Sequence, residues 1–168
     1  AAAAAALETL IPASIVGLAP HRQRYGLFTD DDGGILDDLM ISHHGDRFLL
    51  VVNAARTQHD LSWLARLDGV TLEHVTDRAL LALQGPEAER ALATLIPAVV
   101  DTTFMDSLPL QWEGREVWVS RSGYTGEDGF EISVPDADAE RFARALLAVD
   151  GGLPAGLGAR DSLRLEAG

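Results

Sequence analysis

Two short turns between apolar segments are the feature that most restricts the fold. "RYGLFTDDDGGILDDLMIS" places an Asp/Gly cluster between two apolar-rich runs, and "LPLQWEGREVWVSR" places Glu113 and Gly114 in the same position. Turns of this kind join neighbouring antiparallel strands. Both segments are therefore predicted to form β-hairpins, and the chain is expected to build antiparallel sheets.

The remaining segments predict a mixture of strands and helices. "RFLLVVNAA" is apolar on both faces, which predicts a third strand at the centre of its sheet. "RTQHDLSWLARL" has the pattern of an amphipathic helix, and "RALLALQG" has that of a buried strand. Pro86 is placed to begin the next helix. "FEISVP" alternates as a strand, and helices are predicted for "DADAERFARALLAV" and "ARDSLRLEAG".

This order of elements predicts an α+β fold with two domains. A break in the pattern at "LDGV" places a boundary near residue 70. Residues 1–70 are predicted to be part of a smaller mixed α/β domain with an antiparallel sheet. Residues 71–168 follow the order strand, helix, strand, strand, strand, helix, which suggests a ferredoxin-like arrangement. The chain begins within a helix and ends at "LEAG" without a stop signal, so it is expected to be a fragment.

Composition excludes several classes of protein. The chain has no cysteine, which rules out disulfide scaffolds and thiolate zinc sites. The five histidines are scattered, so no metal site is predicted. A formal charge of -13 argues against nucleic-acid binding. Apolar runs are too short for a membrane span and no signal peptide is visible, so a soluble cytoplasmic protein is expected.

Two adjacent acids stand within the strand-like segment "ILDDLMIS". Alternate residues of a strand share a face, so each aspartate has apolar neighbours on its own face. A buried carboxylate is costly unless it is paired or hydrogen-bonded, so a functional role is one explanation. The other is that one acid, Asp37 more readily than Asp38, accepts hydrogen bonds from backbone amides at the strand end.

Asn53 raises the same question on the next strand. It shares a predicted face with Leu49 and Val51, where its amide would need hydrogen-bonding partners. It could bridge two strands, or it could hold a polar ligand beside Asp38.

The segment "RSGYTGEDGFEISVP" joins a glycine-rich loop to a strand. Alternation places Glu131 on the face opposite the apolar residues of that strand. The glycines permit tight turns and a close approach of the backbone to a ligand. A carboxylate in this position could accept two parallel N–H bonds from an amidine-like heterocycle. The alternative is a glycine-rich hairpin with a solvent-facing glutamate.

Arg160 lies at the start of the last predicted helix. A cation in the first turn opposes the helix dipole, so Arg160 does not serve helix stability. It could pair with Asp161, or it could reach an anionic ligand.

Six stretches resemble the T-protein (aminomethyltransferase) family of the glycine cleavage system. In the family's order they are "RYGLFTDDDGGILDDLMIS", "FLLVVNAA", "HDLSWL", "LALQGPEA", "SRSGYTGEDGFEISVP" and "GLGARDSLRLEAG". They span nearly all of the chain after its leading alanines. Members of the family are longer at both ends, so the resemblance implies an internal piece that lacks the family's C-terminal barrel-like domain.

The resemblance implies a substrate, a partner and a reaction. Tetrahydrofolate would bind in a central hole among three domains, and no metal would be needed. The aminomethyl group would come from the lipoyl arm of the H-protein. The products would be ammonia and 5,10-methylenetetrahydrofolate.

The resemblance also implies roles for individual residues. Asp38, the second aspartate of "LDD", would hydrogen-bond the folate near N10 and help N5 to act as the nucleophile. Glu131, in "GFEI", would bind the 2-amino and N3–H edge of the pterin, with the glycine loop closing over the ring. Arg160, in "ARDSLRL", would contact the folate. Asn53 and Tyr124 would lie near the pocket.

Aromatic walls for this pocket would come from Phe104 and Tyr25. Two other readings remain open. One is a related folate-dependent demethylase, such as the folate domain of sarcosine or dimethylglycine oxidases, whose complete chains carry a large flavin domain. The other is a folate-binding module without transfer activity, like the iron–sulfur maintenance relatives, which typically carry a cysteine motif in place of "GYTGEDG".

Overall fold

The computed structural model of the protein describes residues 2–168. The chain divides into two compact units, Ala1–His74 and Val75–Gly168, which we call the N-terminal and C-terminal units. Each unit combines helices with one antiparallel sheet. The predicted mixture of helices with antiparallel sheets is therefore confirmed.

The N-terminal unit contains a three-stranded sheet in the order β1-β2-β3. The predicted hairpin is confirmed, since β1 and β2 pair antiparallel across a turn in which Gly33 has a φ of 81°. The elements are helix α1 (Ala2–Leu7), strands β1 (Gln23–Thr29), β2 (Ile35–His43) and β3 (Phe48–Val52), a short 3-10 helix (Ala54–Arg56), and helix α2 (Thr57–Leu64).

One face of this sheet covers the core of the N-terminal unit. Phe28 and Ile41 are fully buried there, together with Ile11 from the segment before β1. A Cβ atom at Gly26 would lie 2.9 Å from side-chain atoms of both Ile11 and Ile41. Glycine is required at this position because the core packs directly on its backbone. Alternation along β2 then places Asp37 on the core face and Asp38 on the opposite face.

The C-terminal unit contains a four-stranded antiparallel sheet in the order β4-β7-β6-β5. Its predicted second hairpin is confirmed: β5 and β6 meet at Glu113 (φ 48°) and Gly114 (φ 77°), the pair of positive φ angles that suits a tight hairpin. The elements are β4 (Arg78–Gln84), α3 (Ala88–Ala93), a 3-10 helix (Pro97–Asp101), β5 (Ser107–Trp112), β6 (Arg115–Arg121), β7 (Gly129–Pro135), α4 (Asp136–Leu147) and α5 (Leu157–Ala167).

Helices α3 and α4 contribute to the core on one face of this sheet. Phe130, Ile132 and Val134 of β7 are fully buried, as the alternation predicted. Phe142 of α4 packs against Trp112 edge to face, with ring centroids 4.8 Å apart, a favourable aromatic geometry. Glu131 and Ser133 therefore belong to the opposite face of the sheet, which we call the outer face.

Two predictions about strands are wrong, the central position of β3 and the burial of β4. Strand β3 pairs with β2 alone among the described strands, so it is an edge strand rather than a central one. Phe48, Leu50 and Val52 pack against the core, and Leu49 and Val51 on the other face are half-buried. Apolar residues on both faces therefore do not establish a central position in the sheet. Strand β4 is also at an edge, and Leu80 on its outer face is 48% exposed. Only its alternate residues, Leu81 and Leu83 among them, pack on the core.

Among the described residues, the structure has no helix that is long and apolar enough to cross a membrane.

Candidate functional site

In the N-terminal unit, a carboxylate is held by two donors on the non-core face of β2. The hydroxyl of Tyr25 donates to Asp38 Oδ2 over 3.1 Å. The side-chain amide of Asn53 donates to Asp38 Oδ1 over 2.7 Å and approaches the Asp38 carbonyl oxygen at 3.3 Å. The pairing of β1 with β2 brings Tyr25 close, because Tyr25 lies opposite Met40. Asp38 is thus a partly exposed carboxylate of fixed orientation.

Asn53 does not occupy the strand position that the sequence predicted. It follows β3, where it precedes the 3-10 helix, and it is exposed. Its amide also donates to Asp37 Oδ1 over 2.9 Å. Asn53 therefore bridges both aspartates of β2 from the start of the next element, and its amide orientation is fixed by these acceptors.

Asp37 accepts hydrogen bonds at the strand end, as one of the two readings of the sequence proposed. Its Oδ1 receives the backbone N–H of Asp38 at 2.9 Å, and Arg56 Nε lies 3.8 Å from its Oδ2. Burial, the largest single influence, raises the pKa of Asp37. The hydrogen bonds from Asp38, Asn53 and Asp60, together with the charge of Arg56, outweigh it and lower the pKa below its usual value.

Asp60 of α2 is a buried acid that the sequence analysis missed. It is fully buried, and its Oδ1 lies 3.0 Å from Nδ1 of His59. Burial raises the pKa of Asp60, and the hydrogen bond with Asp37 raises it further, against the opposing effect of His59. In the sequence, Asp60 is one of several polar residues of an amphipathic helix. The helical pattern does not indicate that its side chain is buried or that it lies near Asp37.

In the C-terminal unit, Glu131 stands on the outer face between two small residues. Its register partners are Ala82 on β4 and Ser120 on β6. Both neighbours have short side chains. Burial raises the pKa of Glu131, while the Ser122 hydroxyl at 3.5 Å and the charge of Arg160 partly offset this effect.

Arg160 lies in α5 and interacts with both Tyr124 and Glu131. Its guanidinium lies 4.4 Å from the centroid of the Tyr124 ring, in cation–π geometry. It also donates to Asp161 over 3.0 Å. Arg160 thus contacts Tyr124, and its charge acts on Glu131.

Phe104 makes none of these contacts. It lies before β5 and is 69% exposed. Its predicted role as an aromatic wall stays a prediction. The same holds for Tyr25, which is 49% exposed and whose hydroxyl contacts Asp38.

The glycine-rich loop is packed against a side chain that the sequence analysis did not single out. Gln84, the last residue of β4, donates its amide to the carbonyl oxygens of Ser122 at 3.0 Å and Phe130 at 3.4 Å. A Cβ atom at Gly123 or Gly129 would overlap the Gln84 amide. These two glycines therefore make room for Gln84, whereas the sequence suggested room for a ligand.

The described residues contain no group of three or more histidines or acids arranged to hold a metal ion.

A sequence model of the GCVT N-terminal domain matches residues 1–168. The chain belongs to this family. Within the GCVT family, its relatives include the aminomethyltransferase of Picosynechococcus sp., which is 43% identical over 98% of this chain and 47% of the relative. The aminomethyltransferase of Geobacillus thermodenitrificans is 46% identical over 96% of the chain and 47% of the relative.

A solved GCVT relative has the same fold. The crystal structure of glycine cleavage system aminomethyltransferase T from Bartonella henselae matches with a TM-score of 0.87 and 38% sequence identity, covering 99% of this chain and 46% of that one. The chain spans about half the length of the curated relatives it matches.

Proposed function

We propose that the full-length protein containing these residues is the aminomethyltransferase of a glycine cleavage system. It moves the aminomethyl carbon from the lipoyl arm of the H-protein to tetrahydrofolate, and it releases ammonia. The observation that carries the proposal is the 43% identity, over 98% of the chain, to a relative named aminomethyltransferase. The solved relative, an aminomethyltransferase T of the glycine cleavage system, supports the same reaction.

Glu131 is proposed to bind the pterin edge of tetrahydrofolate. A 2-amino group and an adjacent N3–H present two parallel donors, which match the two oxygens of a carboxylate. The short side chains of Ala82 and Ser120 on either side of Glu131 support this role. Arg160 and Tyr124, which contact each other close to Glu131, are proposed to contact the folate.

Asp38 is proposed to be the catalytic acid, which hydrogen-bonds the folate near N10 and helps N5 to act as the nucleophile. The donors from Tyr25 and Asn53 fix the orientation of its carboxylate and leave it partly exposed. Acid–base assistance of this kind contributes about a hundredfold or more to a rate. Tyr25 and Phe104 are proposed to supply aromatic walls, and Asn53 to support the pocket through Asp38.

The two units are proposed to have different tasks. Residues 71–168 form the folate-binding portion with a ferredoxin-like arrangement, and residues 1–70 form part of a smaller domain that carries Asp38. The partners are the lipoylated H-protein and folate, and the net charge of -13 disfavours nucleic acid. A cytoplasmic location stays a prediction.

The test is a transfer assay on the full-length protein. Lipoylated H-protein loaded with the aminomethyl group is mixed with tetrahydrofolate, and ammonia and 5,10-methylenetetrahydrofolate are measured together. Equal amounts of both products are expected. Tetrahydrofolate binding without either product would favour the binding-module alternative, and turnover of sarcosine or dimethylglycine instead would favour the demethylase alternative.

A further inference from the structure

Two buried carboxyl groups face each other behind the proposed catalytic acid. Asp60 of α2 is fully buried, and the side chain of Asp37 is 11% exposed. The two side chains are within hydrogen-bonding reach of each other. They lie on the core side of β2, whereas Asp38 projects to the other side.

One oxygen of each carboxyl group has no donor from any other described residue. Asp60 Oδ2 and Asp37 Oδ2 are both buried, and apart from the contact between the two acids themselves neither has a hydrogen-bond donor among residues 2–168. Arg56 Nε, at 3.8 Å from Asp37 Oδ2, is too distant to donate one. Two ionised carboxylates in this position would repel each other and leave two charged acceptors unsatisfied. A single proton between them removes both penalties.

The surroundings of the two acids decide which one carries the proton. Asp37 receives the backbone N–H of Asp38 and the amide of Asn53 and has Arg56 nearby. All three interactions favour its ionised form. Asp60 is fully buried, and among the described residues its carboxyl has one partner besides Asp37, His59 Nδ1, which lies 3.0 Å from its Oδ1. The proton therefore belongs on Asp60, with Asp37 as the acceptor.

We infer that Asp60 is a positioning residue for the proposed reaction: as a neutral acid it donates to Asp37, and Asp37 holds the Asn53 amide that orients Asp38. The link to catalysis rests on the proposed function of Asp38. The links themselves are the contacts of Asn53 Nδ2 with Asp37 Oδ1 at 2.9 Å and with Asp38 Oδ1 at 2.7 Å. Loss of the Asp60 proton would place a second charge behind Asp37 and loosen this chain.

The first experiment observes the proton without relying on activity. Infrared difference spectra of the full-length protein at neutral pH, wild type minus Asp60→Asn, should show the C=O band of a neutral carboxylic acid. Its absence would overturn the inference. The side-chain amide signals of Asn53 in ¹⁵N NMR should shift in Asp60→Leu, which lacks a donor, and shift little in Asp60→Asn, which keeps one.

The second experiment measures the kinetic consequence in the transfer assay. Asp60→Asn should keep most of kcat, while Asp60→Leu should lose about tenfold or more, with a smaller change in KM for tetrahydrofolate. The matched control is Asp138→Asn, since Asp138 is 4% exposed in the first turn of α4 but is paired with Arg115 and Arg141. It should leave kcat and the Asn53 signals unchanged.

The two experiments separate the possible failures. If neither the wild type nor any variant transfers the aminomethyl group, the proposed function is wrong. The carboxylic acid band and the Asn53 signals still show whether Asp60 carries a proton and donates it to Asp37. If Asp60→Leu does not fold, the spectra of the wild type and Asp60→Asn decide it. Equal loss of kcat in Asp60→Asn and Asp60→Leu would show that donation to Asp37 is irrelevant and would overturn the positioning role.

Discussion

The amide of Asn53 contacts two adjacent aspartates that have different surroundings. Asp37 faces the core, and its Oδ1 accepts hydrogen bonds from the Asp38 N–H and the Asn53 amide. Asp38 faces outward and is oriented by Tyr25 and Asn53. The period of two in a strand thus separates an acid on the core side of the sheet from an acid on its opposite face.

We predict that Asp38→Asn lowers kcat of the full-length protein by about a hundredfold and leaves the melting temperature unchanged or slightly raised. The substitution preserves the volume and removes the charge. The measurements are the transfer assay and thermal unfolding. Asp31→Asn, in the exposed turn of the first hairpin, is the control. Near-normal transfer by Asp38→Asn would contradict a catalytic role.

We predict that Glu131→Gln weakens tetrahydrofolate binding by about 1.5–3 kcal/mol, the typical strength of a hydrogen bond to a charged group. Glutamine replaces one acceptor oxygen with a donor that opposes the pterin edge. Calorimetry on the full-length protein measures the change. Glu140→Gln, which alters an exposed pair with Arg144 on α4, should leave the affinity as it is, and an equal affinity for both variants would remove Glu131 from the site.

The affinity for tetrahydrofolate should also depend on pH. Burial raises the pKa of Glu131, and only the ionised form accepts two N–H bonds. Affinity should therefore rise as the pH increases through this raised pKa. The contribution of the same group to folding has the opposite sign: it is present below the unfolded pKa and is lost as the pH rises through the folded pKa. Calorimetric titrations across the acidic range measure the first effect, and Glu131→Gln should abolish it.

Single residues could be located from sequence where they interrupt a pattern. Asp38 stood out because it has apolar neighbours on its own face of a strand, and Glu131 because it follows a glycine-rich loop. Asp60 and Gln84 could not be found in the same way, because each suits its own element. Their importance comes from contacts with Asp37 and with the glycine loop, which are distant in the chain, and only tertiary packing produces those contacts.

At the scale of elements, the loop before β7 is shaped by a side chain from β4. The amide of Gln84 is bonded to the carbonyls of Ser122 and Phe130, and Gly123 and Gly129 pack on it. Glu131 is the residue after Phe130 and the third residue of β7, close to the end of this loop. Gln84 therefore sets the backbone from which the proposed pterin-binding carboxylate projects.

We predict that Gly129→Ala destabilises the protein by about 1–3 kcal/mol through overpacking and that this cost falls when Gln84→Ala is added. The added methyl group would overlap the Gln84 amide, so removal of that amide relieves the clash. Urea unfolding of the single and double variants measures the coupling free energy. Gly158→Ala, where a Cβ would meet no atom within 4 Å in the described structure, should be neutral or stabilising. Additive effects in the double variant would contradict the packing role.

The elements themselves were largely predictable, but their places in the sheets were not. Turn residues located both hairpins, and alternation gave the core face of β7. Strands β3 and β4 are both rich in apolar residues, yet both lie at sheet edges. An apolar run reports burial by side chains above and below a strand, while edge or centre depends on backbone partners elsewhere in the chain.

At the scale of the whole molecule, the chain exposes large apolar side chains. Leu153 is 84% exposed, Leu157 81%, Leu165 73% and Phe104 69%. Every residue of α5 is at least partly exposed, although the helix has apolar positions. Single exposed residues of this kind are ordinary, but several large ones favour association.

We predict that residues 1–168, expressed alone, self-associate and catalyse transfer poorly. Association covers the exposed leucines, and the chain spans about half of its relatives, so substrate orientation would be incomplete. Light scattering after size exclusion gives the mass, and the transfer assay gives the rate. The double variant Leu157→Gln/Leu165→Gln should associate less. A monodisperse wild-type monomer with a turnover equal to that of the full-length protein would contradict both expectations.

The two proposed acids, Asp38 and Glu131, belong to units that have separate hydrophobic cores. Units of this kind open with their own free energies, and amide hydrogen exchange can follow each of them separately. Tetrahydrofolate that binds only through Glu131 would slow exchange in β4, β6 and β7 and leave β2 unchanged. Slower exchange in β2 as well would mean that ligand binding is thermodynamically linked to the strand that carries Asp38.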